Sequence, residues 1–486
     1  MEGLHYVWEQ VGAHTGVWTV GATLLAVLTG WLLWSTTAVP TRNPPVPPGS
    51  FGWPLVGETL DQLDAAKANQ VVKFYATRVA KYGEVFRTHF LFNPAVSMGA
   101  PEGNKFLFGN ENKLVQNSWP GPVTRLLGKN SLTVLVGEEH KRARRVYTTF
   151  FNPEGLQASL PRIEAIVRRH AAEYWEGKDQ ILGVPTAKEF AFTVAADLFM
   201  SMDNHDPLYR LFAQAHEEFV TGFFKIPIYL PGSAYRKALQ GREEQRRIIG
   251  TIIDKRRGIN PPHDLLNVML TVPYENDSFM TDDAIKDNIL LMMTASHDTS
   301  STTIAFVLKY LYLNPECLKE VIREQLAIAK DKRADAAVTW EDTKNMKYTW
   351  RAIQETMRLQ PPVQAGFRRA IKDFEFGGFS IPKGWTLIWS VARSHMSPKF
   401  FPDPEKFDPS RFEGSGPPPY VFIPFGGGPH ICLGNEFARL EMLLFLHHIV
   451  LNYEWEMVDP NEQVSITPVT HFKKGLELIL RKRRFE

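Results

Sequence analysis

The sequence predicts a mostly α-helical chain with a few short strands. Residues 160–260 show the periodicity of several amphipathic helices. Thr281 followed by two acids is a typical helix start and Pro315 a typical stop, so the two delimit one long helix. A glycine-rich turn before the apolar run Phe437–Leu451 indicates a loop and then another helix. Strand patterns occur near residues 84–88, 374–387 and 476–481.

Length and composition exclude several classes of protein. A chain of 486 residues can bury a large core, and no internal repeat is visible. The net charge of +2 gives no general reason to expect nucleic-acid binding. The two cysteines, Cys317 and Cys432, are too few for a disulfide framework.

The N-terminus is predicted to anchor the chain in a membrane. Residues 11–41 contain no Asp, Glu, Lys or Arg, and Val17–Trp34 is apolar apart from Thr and Gly. Such a stretch is about long enough to cross ~30 Å of hydrocarbon as a helix. A cleaved signal peptide is the alternative, but its first region would be basic, whereas this one carries Glu2 and Glu9. Because Arg42 follows the segment, the N-terminus should face the lumen and the body the cytosol.

A proline-rich segment separates this anchor from the body. Six prolines lie between Pro40 and Pro54, so we expect an extended, stiff spacer. The predicted organisation is an anchor at 1–40, a hinge at 41–56 and one domain at 57–486.

Several segments of the body carry candidate features. Residues 60–82 read as one helix. Residues 109–135 lack a clear period and contain Trp119 beside Pro and Gly, which indicates a loop with its own structure. Residues 137–145 are a dense basic run opening a helix, most simply a solvated face. Residues 223–231 form a hydrophobic, proline-broken loop, most simply part of the core.

The long helix after Thr281 has an unusual middle. The polar run Thr294–Thr303 interrupts apolar sequence on both sides, and such local conflicts often mark function. Hydroxyls there can bond to carbonyls one turn earlier, which bends a helix and can open a groove.

The most informative stretch runs from Phe425 to Gly434. Three successive glycines, 426–428, let the backbone approach a flat, bulky group where a Cβ would collide. Cys432 lies where free N–H groups of the next helix can point at its sulfur, which favours the thiolate that ligates metals. A single thiolate suits haem iron. The competing interpretation is a buried free cysteine beside a tight turn.

Phe425, Gly428, Cys432 and Gly434 match the signature Phe-x-x-Gly-x-x-x-Cys-x-Gly, and the chain thereby resembles the cytochrome P-450 monooxygenases. It resembles the plant branch of diterpenoid and triterpenoid hydroxylases, such as the taxane hydroxylases. The likeness extends through Glu111–Gln116 and Asn314–Cys317. It implies a mostly α fold with a small β-sheet side, a single helix-rich haem-thiolate domain after an N-terminal transmembrane helix, and an endoplasmic reticulum anchor.

The resemblance also implies how haem b is held. Cys432 takes the place of the axial iron ligand. Arg144 and Arg368 occupy propionate-binding positions, while His140 stands where the family has Trp, and His430 where it has a basic residue, most often Arg. The cofactor-binding set is therefore Cys432, Arg144, His140, Arg368, His430, Phe425, Gly426, Gly428 and Gly434.

The polar run of the long helix fits a second family pattern, Ala/Gly-Gly-x-Asp/Glu-Thr-Thr/Ser. Ala295, Asp298, Thr299 and Ser300 match it, and Ser296 replaces the usual glycine. Oxygen activation requires protons delivered without flooding the site, which a hydroxyl backed by a carboxylate can do. Asp298 and Thr299 are the predicted catalytic pair.

The resemblance also implies a buried ion-pair network and a substrate pocket. Glu355 and Arg358 match a buried ion pair whose third member is Arg411 in Pro-x-Arg-Phe. The predicted substrate pocket comprises Trp119, Met292, Met293, Ala295, Val363 and Val469.

The implied activity is insertion of one oxygen atom into an unactivated C–H bond of a hydrophobic terpenoid. Electrons would come from NADPH through a separate flavin-containing cytochrome P-450 reductase, since no Gly-x-Gly-x-x-Gly fingerprint follows a strand. The reductase would dock on Lys141, Arg142 and Arg145. The alternatives are a steroid or plant-hormone oxidase of the same family, a haem-thiolate isomerase or dehydratase, and a non-enzymatic haem sensor.

Overall fold

The computed structural model describes residues 19, 21–23, 25–30, 42–53, 57–90, 93–99, 101–223, 225, 227–257, 263–276, 278–330, 336–467 and 469–484. The described residues between 19 and 30 are helical, and the rest of the predicted membrane segment 17–34 lies outside the described residues. In the part of the chain that is described, no helix is both long and apolar enough to cross a membrane.

Helices make up most of the body. They are α1 Thr59–Lys67, α2 Val71–Tyr82, α3 Glu102–Gly109, α4 Gly121–Leu127, α5 Gly137–Phe151, α6 Pro153–Tyr174, α7 Gly183–Met200, α8 Pro207–Val220, α9 Ala234–Arg256, α10 Leu265–Thr271, α11 Asp282–Leu313, α12 Pro315–Ala329, α13 Trp340–Asn345, α14 Lys347–Leu359, α15 Val391–His395 and α16 Asn435–Asn452.

The strands are short and form four small sheets. They are β1 Phe86–Phe90, β2 Asn93–Ser97, β3 Val115–Asn117, β4 Gln180–Leu182, β5 Ala365–Ala370, β6 Phe374–Phe376, β7 Phe379–Ile381, β8 Thr386–Ser390, β9 Tyr453–Met457, β10 Val464–Ile466, β11 Thr470–Phe472 and β12 Glu477–Lys482. The largest sheet has the order β1-β2-β8-β5-β3, and only its β2–β8 pair is parallel. The sheet β4-β12-β9 and the pairs β10-β11 and β6-β7 complete the set.

The long helix α11 is the centre of the core. Its Thr281 side chain accepts a hydrogen bond from the backbone N–H of Ala284, as a capping hydroxyl should. The helix packs against α7, α9 and α14, and residues such as Phe306 and Leu308 are fully buried. α16, the apolar helix after Cys432, lies in the same hydrophobic cluster through Leu443. The cysteine loop and the polar run of α11 are therefore attached to one rigid core.

The described part of the hinge does not stand free of the body. Val46 and Phe51 are both 7% exposed. The backbone N–H of Ser380 donates to Pro45 O at 2.9 Å, and that of Arg87 donates to Pro48 O at 2.8 Å. The described hinge residues therefore pack on the body, at strands β1 and β7.

Two local predictions differ from the structure. The helix predicted over 60–82 is split into α1 and α2, because Asn69 adopts φ 53°, a left-handed conformation that ends the first helix. The loop predicted over 109–135 contains β3 and α4, which are too short to show a period.

Candidate active site

The cysteine loop packs on α3 through its glycines. Gly426 and Gly428 both have φ 71°, which favours glycine. A Cβ at Gly427 would lie 2.5 Å from the ring of Phe108, and one at Gly428 would lie 2.8 Å from the Phe108 carbonyl. The flat group that two of these glycines approach is thus a phenylalanine of the protein itself. This packing fixes the direction in which the loop presents Cys432.

Cys432 lies at the wall of a cavity of about 340 Å³. Its backbone N–H donates to Phe425 O at 2.9 Å. Its side chain is exposed, but toward this cavity, and burial within the protein raises the pKa of the thiol, an effect that the Gly434 N–H and Arg144 offset only in part. The helix start alone does not make a thiolate, contrary to the sequence-based expectation. A bound metal ion would deprotonate the sulfur.

The polar run of α11 contributes to the same cavity. Ala295, Ser296, Thr299, Ser300 and Thr303 all line the cavity. The hydroxyls of Ser296, Thr299 and Thr303 donate to carbonyls one turn earlier in the helix. Thr299 Oγ1 donates to Ala295 O at 2.6 Å, Ser296 Oγ to Met292 O at 2.9 Å, and Thr303 Oγ1 to Thr299 O at 3.0 Å. These bonds were predicted, and they hold the hydroxyls in the helix without breaking it.

Asp298 is not among the residues that line this cavity. Its Oδ1 lies 2.8 Å from Lys188 Nζ of α7 and 3.3 Å from His297 Nδ1. Burial raises the pKa of Asp298, but the contacts with His297 and Lys188 outweigh it and leave the pKa below its usual range. The predicted catalytic pair is therefore divided, with Thr299 at the cavity and Asp298 ionised behind it. Sequence reasoning missed Lys188, which carries no motif.

The predicted propionate ligands lie together on one side of the cavity. Arg144, Arg368, His140 and His430 all contribute to its wall. Arg368 is 3% exposed; its Nη1 donates to Asn117 Oδ1 at 3.0 Å, and its Nε has no hydrogen-bond partner among the described residues. Arg144 Nη1 donates to Ile431 O at 2.8 Å, next to the cysteine.

The two histidines form a stacked pair. The ring centroids of His140 and His430 are 3.7 Å apart with 24° between the planes. Burial, followed by the charge of His430, lowers the pKa of His140 to about 3. His430 Nε2 lies 3.0 Å from Leu135 O, and its Nδ1 faces the carboxylate of Glu111. Both nitrogens of His430 are thus occupied by protein groups. Its prediction as a propionate ligand stays a prediction.

These residues fit the haem that the resemblance implies. A sulfur ligand, two arginines and an unpartnered buried guanidinium nitrogen share one cavity whose remaining lining is largely apolar. That donor set matches an iron-bound flat molecule with an anionic edge. Phe425, Gly426 and Gly434 also line the cavity, whereas Gly428 does not and acts through the packing on Phe108.

Of the predicted substrate-pocket residues, four line the cavity and two do not. Trp119, Met292, Ala295 and Val363 line the cavity. Trp119 Nε1 donates to Thr133 Oγ1 at 2.9 Å, which fixes its ring. Met293 is fully buried in the core, and neither Met293 nor Val469 is among the described lining residues.

The predicted ion-pair network is present and buried. Glu355 and Arg358 have fully buried side chains, with Arg358 Nε 2.6 Å from Glu355 Oε2. Arg411 Nε lies 3.4 Å from Glu355 Oε1, and the Asp408 backbone N–H donates to the same oxygen at 2.9 Å. The network joins α14 to the loop before Cys432.

Two buried acids near the cavity were not singled out from sequence. Glu441 of α16 is fully buried beside Ser300, has no well-aligned hydrogen bond among the described residues, and its pKa is raised by burial to about 8. Glu111 lies beside Arg368 and His430. A charged residue inside an apolar helix was the available signal for Glu441. Glu111 lies in the stretch Glu111–Gln116, over which the chain resembles the family.

The basic run on α5 is partly paired with local acids. Lys141 Nζ lies 2.6 Å from Glu138, and Arg142 Nη1 lies 2.5 Å from Glu275. Arg145 is exposed and donates to the Tyr274 carbonyl at 3.1 Å. The face is basic, but less so than the sequence alone indicates.

Comparison with known proteins agrees with this geometry. The sequence model of the Cytochrome P450 family matches residues 47–479. The beta-amyrin 28-monooxygenase of Saponaria officinalis is 41% identical over 445 residues, which cover 90% of this chain and 91% of that protein. The beta-amyrin 28-monooxygenase of Kalopanax septemlobus is 39% identical over 457 residues, covering 93% and 95%. Among solved structures, retinoic acid-bound cyanobacterial CYP120A1 has a TM-score of 0.83 at 32% identity, covering 90% of this chain and 100% of that chain. The chain therefore belongs to the cytochrome P450 family of haem-thiolate enzymes.

Proposed function

We propose that this enzyme hydroxylates a hydrophobic terpenoid, with β-amyrin as the first candidate substrate. The observation that carries the proposal is the cavity, which is lined by Cys432, by hydroxyls of α11 and otherwise by mainly apolar side chains. The names of the similar plant proteins direct the choice of substrate toward triterpenoids. A diterpenoid or a sterol-like molecule would suit the same chemistry.

The first role of the protein in this reaction would be to bind the haem. Cys432 would ligate the iron, and Arg144 and Arg368 would pair with the propionates. A haem bound through a thiolate supplies the dioxygen chemistry that inserts one oxygen atom into a C–H bond. Trp119, Met292 and Val363 would exclude water and orient the hydrocarbon skeleton.

Protons would reach the cavity along α11. Lys188 is 37% exposed, so the Lys188–Asp298 ion pair connects the surface to a buried carboxylate. Thr299, the next residue, holds its hydroxyl at the cavity. Because Asp298 is held by Lys188 and does not line the cavity, it must leave Lys188, or use water, to pass a proton to Thr299.

Electrons would arrive from NADPH through a separate cytochrome P-450 reductase docked on α5. Lys141 and Arg145 are exposed, and α5 reaches the cysteine loop through Arg144 and Ile431. An acidic partner would be steered to this face, and salt would weaken the effect.

We further propose that residues 1–40 form a single-pass anchor in the endoplasmic reticulum membrane, with a hinge at 41–56 and the catalytic domain at 57–486 facing the cytosol. The support is the uncharged N-terminal stretch before Arg42. A chain beginning at Arg42 keeps the hinge residues that pack on the sheet, and should leave the membrane more easily with its haem spectrum intact. Loss of haem in that chain would show that the first segment belongs to the fold.

The function is tested by producing the full chain in yeast with a plant reductase and a β-amyrin synthase. Hydroxylated β-amyrin should form, and none should form with Cys432→Ser. Parallel strains that make diterpenes or supply sterols address the other substrates. If no terpenoid or sterol is oxidised while the haem spectrum is normal, the proposed function is wrong.

A further inference from the structure

Glu111, in the stretch Glu111–Gln116, lies beside two of the predicted propionate ligands, Arg368 and His430. Its side chain is fully buried, and its Oε2 lies 3.2 Å from Arg368 Nη2. The other oxygen faces His430 Nδ1. One carboxylate therefore joins β5, which carries Arg368, to the loop that carries Cys432.

These contacts are ion pairs rather than well-aligned hydrogen bonds. Burial raises the pKa of Glu111, but the close contact with His430 and the charges of Arg368 and His430 outweigh it, so the pKa is below its usual range. Glu111 is therefore ionised. A buried carboxylate is tolerable only because two bases face it.

The backbone around Glu111 is fixed without its side chain. The Asn112 N–H donates to Val115 O at 2.7 Å, and the Leu114 N–H donates to Asn110 O at 3.0 Å. Asn112 Oδ1 accepts from the backbone N–H of Gly137 at 3.2 Å, at the start of α5. The Glu111 side chain is thus not needed to close this turn, and what it contacts are bases of the haem site.

Arg368 is held by protein groups at a wall of the cavity. Its Nη2 faces Glu111 and its Nη1 faces Asn117, while its Nε has no partner among the described residues and the side chain lines the cavity. Holding both Nη atoms fixes the orientation of the guanidinium and keeps its positive charge at the cavity wall.

We propose that Glu111 is a positioning residue of the haem site: it holds Arg368 and His430 against one wall and reduces the positive charge facing the propionates by one unit. Since ferrous haem carries one negative charge more than ferric haem, a nearby carboxylate disfavours reduction. Glu111 therefore lowers the reduction potential and slows haem loss. The proposal concerns the cofactor and does not depend on which substrate is oxidised.

The test uses Glu111→Gln, which keeps the shape and removes the charge. The matched control is Glu138→Gln, the same change on an exposed acid at the start of α5. In purified full-length protein we expect the equilibrium for haem reduction to shift toward the ferrous form by about threefold, which at 59 mV per tenfold is about 28 mV upward. Haem transfer to apomyoglobin should become several-fold faster, and the control should match the parent in both.

A purely structural role for Glu111 would alter haem retention but not the potential of the haem that remains bound. A parental potential in Glu111→Gln therefore overturns the proposal. If that variant retains too little haem to measure, Glu111→Asp decides, because it keeps the charge with a shorter reach. Retained haem with a parental potential in Glu111→Asp supports the proposal, and haem loss equal to that of Glu111→Gln overturns it.

Discussion

Replacing Glu441 with glutamine should stabilise the protein at neutral pH. Burial raises the pKa of Glu441 from 4.5 to about 8, so the carboxyl is neutral in the folded protein at pH 7 and ionised in the unfolded chain. Between these pKa values the unfolded chain binds fewer protons, and the free energy of unfolding falls as pH rises. At ~1.4 kcal/mol per pH unit, the penalty at pH 7 is about 3 kcal/mol. Glutamine cannot ionise and removes this penalty.

The assay is urea unfolding at pH 5, 7 and 8, followed by tryptophan fluorescence, for the parent and Glu441→Gln. The difference in the free energy of unfolding should widen with pH between about 4.5 and 8 and then level off, whatever constant cost the buried amide adds. Glu456→Gln is the control, since its exposed pair with Arg481 is worth only about 0–1 kcal/mol. A difference that does not change with pH would refute the assignment of Glu441 as a buried neutral acid.

Thr299→Val should still bind substrate and consume NADPH but release peroxide instead of hydroxylated product, and unchanged coupling would defeat the proton-relay role. Glu355→Gln leaves Arg358 buried without its full partner and should lower the free energy of unfolding by about 3–5 kcal/mol; a loss under about 1 kcal/mol would contradict this. Changing Lys141, Arg142 and Arg145 to glutamate should slow reduction of the haem by the reductase at low salt, without altering the ferric spectrum. Unchanged reduction rates would mean that these three residues only solvate the helix.

Features set by local chemistry were predictable from the sequence. The bounds of α11 follow from a capping threonine and a proline, and the structure confirms them within a residue. The ten-residue cysteine motif indicated the family, and the comparisons confirm it. The helix-rich fold with small sheets is confirmed as well.

Features set by distant partners were not predictable. β3 exists because it pairs with β5, far along the chain, and a three-residue strand carries no period of its own. The place of Glu111 depends on Arg368 and His430 in the same way. Nothing in the local sequence distinguishes a buried glutamate with two bases from an exposed one.

The division of the predicted catalytic pair depends on packing between helices. Neighbouring residues on an α-helix point about 100° apart, yet Thr299 and its neighbour Ser300 both line the cavity. Asp298, on the other side of Thr299, turns instead to Lys188 of α7, a contact that helix geometry alone does not predict. The roles of the individual site residues remain predictions until they are measured.

The central claim is that Cys432 ligates the haem iron. Its most direct test is the absorption spectrum of the reduced, carbon monoxide-bound protein, compared among the parent, Cys432→Ser and Cys317→Ser. Cys317 is the other cysteine and lies in α12, outside the described lining of the cavity. The parent and Cys317→Ser should show the red-shifted Soret band typical of thiolate ligation, and Cys432→Ser should lack it. A red-shifted band that survives in Cys432→Ser would contradict the assignment.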